Sequence, residues 1–255
     1  NYSADIFYSG NIGSEELIET LIKTLPFTRK ENKMPYKDLE GKEYPKNQIF
    51  FVHQKKAIQS QVFFHVLGDP FEKERYPYLE AFNGYFADGF SGLVTQEIRE
   101  YRSLAYATGA RYNYPVKTGN RGQLIAYIGC QGDKTMDAIP VMVDLLKNMP
   151  SKPERMEALR SSLRMKTVTN FPDFRQIPFS VFDHRLRGYT EDPNKKAFEK
   201  YAAIQMTDIE EFYRKNIQSK PYVITIYGDR KRIDLEKLKQ YGEVVELKEK
   251  DFVKF

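Results

Sequence analysis

The sequence predicts an α+β domain. Strand-like segments come in pairs, 48–53 with 59–67 and 104–113 with 121–131. Between and after these pairs lie long helical stretches, and from 134 to 217 the pattern is mainly helical. A strand, a helix and a strand close the chain over 221–247. Grouped strands and grouped helices, rather than strict alternation, mark this class.

Each element follows from its residues. SADIFYSG at 3–10 reads as a strand ending at a glycine. In the helix predicted over 14–25, Leu17, Ile18, Leu21, Ile22 and Leu25 share one face. Residues 28–47 are polar, hold Pro35, Gly41 and Pro45, and read as a linker. A helix over 76–88 turns Leu79, Phe82, Phe86 and Tyr85 inward, and Asp88-Gly89-Phe90-Ser91-Gly92 breaks it. A short helix at 93–101 runs into the strand 104–113, where Leu104, Tyr106 and Thr108 would share one face and Ala105, Ala107 and Gly109 the other. A turn with Pro115, Gly119 and Asn120 leads to 121–131. Further helices are predicted at 134–148, 153–170, 176–188, 194–203 and 207–216, the last with capping-box spacing from Thr207 to Glu210. Strand 221–228, helix 230–241 and strand 243–247 complete the chain.

The opening IFYSGN and the closing ITIYGD are alike: a strand meets Gly10 or Gly228 and turns into an amphipathic helix. The two glycines are 218 positions apart. Either this is the common strand–glycine–helix unit of α/β chains, or it marks a tandem repeat whose preceding copy ends near residue 27.

Composition narrows the function. The 255 residues carry a net charge of +5, with 18 Tyr and 18 Phe to build a core. A pI near 9.0 raises the question of nucleic acid. The charges are mixed, however: 229–255 holds eight basic and seven acidic residues, and 28–47 six and four. The densest basic excess, 152–166, sets Arg160 and Arg164 one turn apart, as an exposed helix face or a contact for an anion or polypeptide. Neither nucleic acid nor membrane is an expected partner, and no apolar run approaches the roughly 20 residues of a membrane span. With Cys130 the only cysteine, an internal disulfide framework is excluded.

The chemistry-bearing residues are few. His53, His65 and His184 fall in separate segments, none within H-E-x-x-H or H-x-x-E-H, so no zinc site is expected here. No P-loop, dinucleotide fingerprint or G-x-S-x-G occurs. Cys130 sits in an apolar strand and reads as a buried small side chain. The segment 80–106 stands out, because two helices and a glycine-bearing break bring Arg99 and Tyr106 close in sequence to a strand. On pattern alone these are a helix-capping arginine and a packed tyrosine.

Their surroundings point further. QEIREYRSLAY resembles the Q-E-I-R-E-x-R-G-L-A-Y signature of the M16 metallopeptidases, which include pitrilysin, insulin-degrading enzyme and the mitochondrial processing peptidases. Gln96, Glu97, Ile98, Arg99, Glu100, Arg102, Leu104, Ala105 and Tyr106 match. Ser103 replaces the usual glycine, and Tyr101 a frequent lysine. Asp88-Gly89-Phe90-Ser91 is a thinned form of the family's glycine-rich turn. The resemblance covers most of 48–255 and implies a mostly antiparallel sheet with helices on one face. It makes 1–27 the tail of a preceding homologous domain and 28–47 the linker.

The resemblance also implies a role. The chain would be the C-terminal, non-zinc-binding part of a zinc endopeptidase. Zinc and the general base would belong to the N-terminal half, which is the expected partner on the same or a separate chain. Arg99 would bind a main-chain carbonyl of a peptide substrate, and Tyr106 would donate to the oxyanion. The fragment alone would be inactive. The other reading it leaves is an inactive scaffold or polypeptide-binding subunit. Cytoplasm and periplasm both stay open for a bacterial relative.

Overall fold

The structure, a computed structural model, describes residues 6–26, 41–115, 117, 119–248 and 251. It begins with helix α1 (Ser14–Thr24), followed by strands β1 (Gln48–His53) and β2 (Gln59–Pro70). Helix α2 (Tyr76–Phe82) passes into a π-helical turn at Asn83–Ala87, and helix α3 (Leu93–Thr95) into another at Gln96–Glu100. Strands β3 (Ala107–Asn113) and β4 (Arg121–Gln131) follow. Helices α4 (Thr135–Lys147), α5 (Met156–Thr169), α6 (Ile177–Leu186), α7 (Pro193–Ala203) and α8 (Met206–Tyr213) lead to strand β5 (Tyr222–Gly228). The short helix α9 (Leu235–Leu238) and strand β6 (Glu243–Leu247) come last.

The six strands form one mixed sheet in the order β3-β4-β2-β5-β1-β6. The pairs β3/β4, β4/β2 and β2/β5 are antiparallel, while β1 lies parallel to both β5 and β6. The alternation along each strand decides its two faces. Ile49, Phe51, Val62, Phe64, Val66, Leu124, Ala126, Ile128, Ile224 and Ile226 point to one side and are buried. Helices cover that side with Leu79, Phe82, Phe86, Leu93, Ile98, Ile139, Met142, Ile209 and Phe212. The α+β class, the mainly antiparallel pairing and the one-sided helical layer agree with the sequence reading. The other face is left with Phe63 and Tyr127, whose rings lie 4.9 Å apart.

Several boundaries differ. Residues 6–10 form no strand; they have no strand beside them among the described residues, and an unpaired segment gains nothing from extension. Residues 1–5, which include the start of the strand expected at 3–10, and 27–40 across the expected tail and linker, lie outside the described residues. The predicted helix 230–241 is broken in two. Arg230–Arg232 makes one 3₁₀ turn capped by Asp229, Ile233 is extended, and Asp234 caps a fresh start into α9. The box at the start of α8 involves Gln205 and Asp208 rather than Thr207 and Glu210, with the Gln205 N–H donating to Asp208 Oδ2 at 2.8 Å. Strand β3 starts at Ala107, leaving 104–106 as a loop.

The two ends of the echo are built differently. Gly228 ends β5, where a Cβ would stand 2.7 Å from Ser60 Oγ and 2.9 Å from Ile233 Cδ1. That close approach lets the chain fold back over the core through Ile233 and Leu238, both buried. At the opening, α1 buries none of its residues. Among the described residues, no helix is long and apolar enough to cross a membrane.

Candidate functional site

The site is built by the run from α2 to β3. Asn83, in the first π turn, donates to the Tyr112 carbonyl (2.9 Å) and accepts the Tyr112 N–H (2.7 Å). This side chain pins the helix to the outer edge of β3. The turn after it is held by Lys166, paired with Asp88, and by Arg155, which donates to the Ser91 carbonyl. Helix α3 then starts at buried Leu93, and the π turn that continues it carries Arg99.

There the chain reverses. The Ser103 N–H donates to the Arg99 carbonyl (3.0 Å), and the Leu104 N–H to the Ile98 carbonyl (2.9 Å). Closing a helix this way needs a left-handed residue, and Ser103 takes it with φ of 50°. The usual glycine of the signature is therefore replaced by a residue that bears the steric cost of this conformation. Ala105 turns into the core, and the Tyr106 N–H donates to the Gly129 carbonyl of β4 at 3.2 Å.

This reversal brings the two predicted residues together. The Arg99 guanidinium lies 5.9 Å from the centre of the Tyr106 ring. Its Nε is 3.5 Å from Glu100 Oε1. Tyr106 is 84% exposed, so its hydroxyl is open to an incoming molecule. The expectation that Tyr106 would lie in the strand with Thr108 does not hold: β3 starts at Ala107, and Tyr106 stands just before it, tied to β4 through its N–H. An arginine with several donors near the ring of an exposed tyrosine can hold a carbonyl or an oxyanion.

Glu97, matched in the signature but given no role by the sequence reading, binds two cations next to this pair. Its carboxylate accepts from Arg102 Nη1 at 2.5 Å and from Lys152 Nζ at 3.2 Å. Burial alone would raise its pKa, but these two cations outweigh burial and hold it below the usual carboxylate range. Lys152 also lies 5.6 Å from the Tyr101 ring. No local rule pairs residues five apart, nor could one find a lysine 55 positions away.

The other candidates stay apart. His65 bonds Gln123 (2.8 Å), His53 accepts the Arg230 N–H (3.2 Å), and His184 lies edge-on to Tyr189. Among the described residues, no group of three or more His, Cys, Asp or Glu side chains is placed to hold a metal ion. Cys130 is buried 3.6 Å from Thr135 Oγ1, and burial pushes its thiol up. Arg160 and Arg164 both serve α7 and its end: Arg160 donates to the Ile204 carbonyl (2.8 Å), and Arg164 lies 4.5 Å from the Phe198 ring centre.

Known proteins bear on this geometry. A family profile described as the peptidase M16 inactive domain matches residues 4–163. No curated protein matches the chain. Solved structures do match in fold. A peptidase M16 inactive domain from Pseudomonas fluorescens is 15% identical with a TM-score of 0.62, covering 76% of this chain and 46% of that one. A protease from Helicobacter pylori is 10% identical with a TM-score of 0.66, covering 86% and 53%. A chain of complex III2 from Candida albicans is 13% identical with a TM-score of 0.58, covering 91% and 57%. The chain thus spans about half the length of these structures. With a family profile matched over more than half of its length, the chain belongs to the peptidase M16 inactive-domain family.

Proposed function

We propose that this domain is the non-zinc-binding part of an M16-type zinc endopeptidase, and that it supplies Arg99 and Tyr106 to a peptide-cleaving site. The observation that carries the reading is the exposed Tyr106 with the Arg99 guanidinium 5.9 Å from its ring, inside the signature segment. In this reading residues 48–255 form the contributing domain, 28–47 a linker, and 1–27 the tail of a preceding homologous domain. The partner is the N-terminal M16 half, on the same chain or a separate one, and the substrate is a peptide or small unfolded protein.

The division of labour follows from the residues. The metal belongs to the other half, where zinc would polarise the scissile carbonyl. Here the Arg99 guanidinium grips a main-chain carbonyl of the substrate. The Tyr106 hydroxyl donates to the carbonyl oxygen as negative charge develops on it. Removing one such donor costs about 3 kcal/mol of barrier, or roughly a hundredfold in kcat. Because the donors and the metal sit on different halves, catalysis needs closure around the substrate. The domain alone is inactive.

The test is a reconstitution. The chain is titrated into the upstream half with zinc, and cleavage of a quenched fluorescent peptide is followed. Activity should rise with the chain and fall about a hundredfold with Tyr106→Phe. Full activity with Tyr106→Phe removes the assigned role. A second reading, a scaffold or polypeptide-binding subunit without catalysis, draws on the shared fold with a chain of complex III2. Binding between folded halves with no cleavage at any ratio would decide for it.

A further inference from the structure

We propose that Glu97 is the positioning residue of the Arg99–Tyr106 pair, clamping the segment 101–105 to the helix end so that the Tyr106 hydroxyl stands in one place. The proposal rests on the reading of Arg99 and Tyr106 as peptide-contacting groups.

Tyr106 needs such a device. At 84% exposure, packing does not orient it, so its place is set by the loop that delivers it. That loop leaves the helix at Tyr101 and must return at once. Glu97 lies two residues before Arg99 with its side chain only 15% exposed. Arg102 folds back onto it, and one guanidinium nitrogen reaches both the carboxylate (2.5 Å) and the Glu97 carbonyl (2.8 Å). The loop is thereby tied to the helix it has just left.

The second arm of the clamp fixes it to the body of the domain. Lys152 reaches the other carboxylate oxygen at 3.2 Å. Its own backbone is held by Tyr85, whose hydroxyl accepts the Lys152 N–H (2.9 Å) and donates to the Pro150 carbonyl (2.7 Å). Three segments therefore meet on one carboxylate: the helix end, the loop and the α4–α5 connection. Arg99 is on the first and Tyr106 directly follows the second. Loss of the Glu97 charge weakens the hold on Arg102 and Lys152, while the Arg102 bond to the Glu97 carbonyl and the bonds of Ser103, Leu104 and Tyr106 to the helix and β4 keep the backbone course of the loop. The result is a pair present but loosely set.

The experiment places 3-fluorotyrosine at position 106 alone in this chain and records its fluorine resonance. One narrow line is expected in the parent chain, and a shifted, broadened line with Glu97→Gln. Arg102→Gln should reproduce that change, and the double substitution should add little to it, because both residues act through one contact. In the reconstituted pair, Glu97→Gln should lower kcat by about tenfold and leave KM within about twofold. A fluorine line that stays in place with both Glu97→Gln and Arg102→Gln overturns the proposal. Should Glu97→Gln fail to fold, Arg102→Gln carries the same decision. A line that moves while Tyr106→Phe leaves kcat unchanged supports the clamp and removes instead the catalytic reading of Tyr106.

Discussion

Within 76–106 the chain makes one shape twice, and the two copies differ in how they treat a shielded charge. Helix α2 widens into a π turn at Asn83–Ala87 and leaves through Gly89 at φ of 52°. Helix α3 widens into a π turn at Gln96–Glu100 and leaves through Ser103 at φ of 50°. Each unit shields one glutamate side chain, Glu80 at 16% exposure and Glu97 at 15%. Glu97 has two cations on its two oxygens. Glu80 Oε1 has no hydrogen-bond partner among the described residues, and Arg111 approaches it only to 3.7 Å. Burial therefore raises the Glu80 pKa against the pull of Arg111 and Lys166. Local geometry alone does not decide whether a shielded carboxylate supports the fold; its partners do. The supported one stands beside Arg99 and close in sequence to the exposed Tyr106.

The largest effect expected of this contrast is on stability at pH 8. Glu97→Gln removes two charge-assisted bonds and should lose about 1–2 kcal/mol, discounted for the half-exposed Arg102. Glu80→Gln removes an under-paired charge and returns Arg111 to water, so it should lose less than about 0.5 kcal/mol or gain. Urea unfolding at pH 8 compares the two directly. Equal losses would show that the partner set does not distinguish them.

Titration sharpens the same contrast, because the two groups shift in opposite directions from the ordinary value of 4.5. The lowered Glu97 favours its charged form in the folded chain. Its contribution is complete above that ordinary value and is lost as pH falls through the lowered one. The raised Glu80 favours its protonated form in the folded chain. Its contribution is complete below the ordinary value and is lost as pH rises through the raised one. The stability gap between the parent chain and Glu97→Gln should thus close on the acid side of 4.5, while that for Glu80→Gln should change on the alkaline side. Gaps that change on the same side would contradict the assigned environments.

How far the sequence reveals this depends on the range of each interaction. Strands β1, β4 and β6 fall within their predicted limits because alternation and flanking turns are local signals. Helix 230–241 fails because amphipathic spacing does not register that Asp229 and Asp234 each cap their own turn. The strand predicted at 3–10 fails over 6–10 because strand formation depends on a neighbour that the pattern cannot supply. At the candidate site, the signature singles out Arg99 and Tyr106, and their proximity follows from a reversal of a few residues. The roles of Lys152 and Tyr85 were not legible. They come from 55 positions downstream of Glu97 and from the preceding π turn, and no local spacing rule links them to it.

The smaller predictions concern the two exits. At Gly89 a Cβ would meet nothing within 4 Å, so only the left-handed backbone opposes a side chain there. Gly89→Ala should lose about 1 kcal/mol, after the entropy that alanine removes from the unfolded chain is credited. Ser103→Gly runs the comparison in reverse. Serine at φ of 50° carries a backbone cost that glycine does not. Against that gain, glycine adds about 0.5–1 kcal/mol of unfolded-chain entropy. The net expectation is a gain of about 0.5 kcal/mol, read as a higher urea midpoint at unchanged slope. A lower midpoint would mean that the serine side chain gives the reversal more than its backbone conformation costs, and the two exits would then not be equivalent.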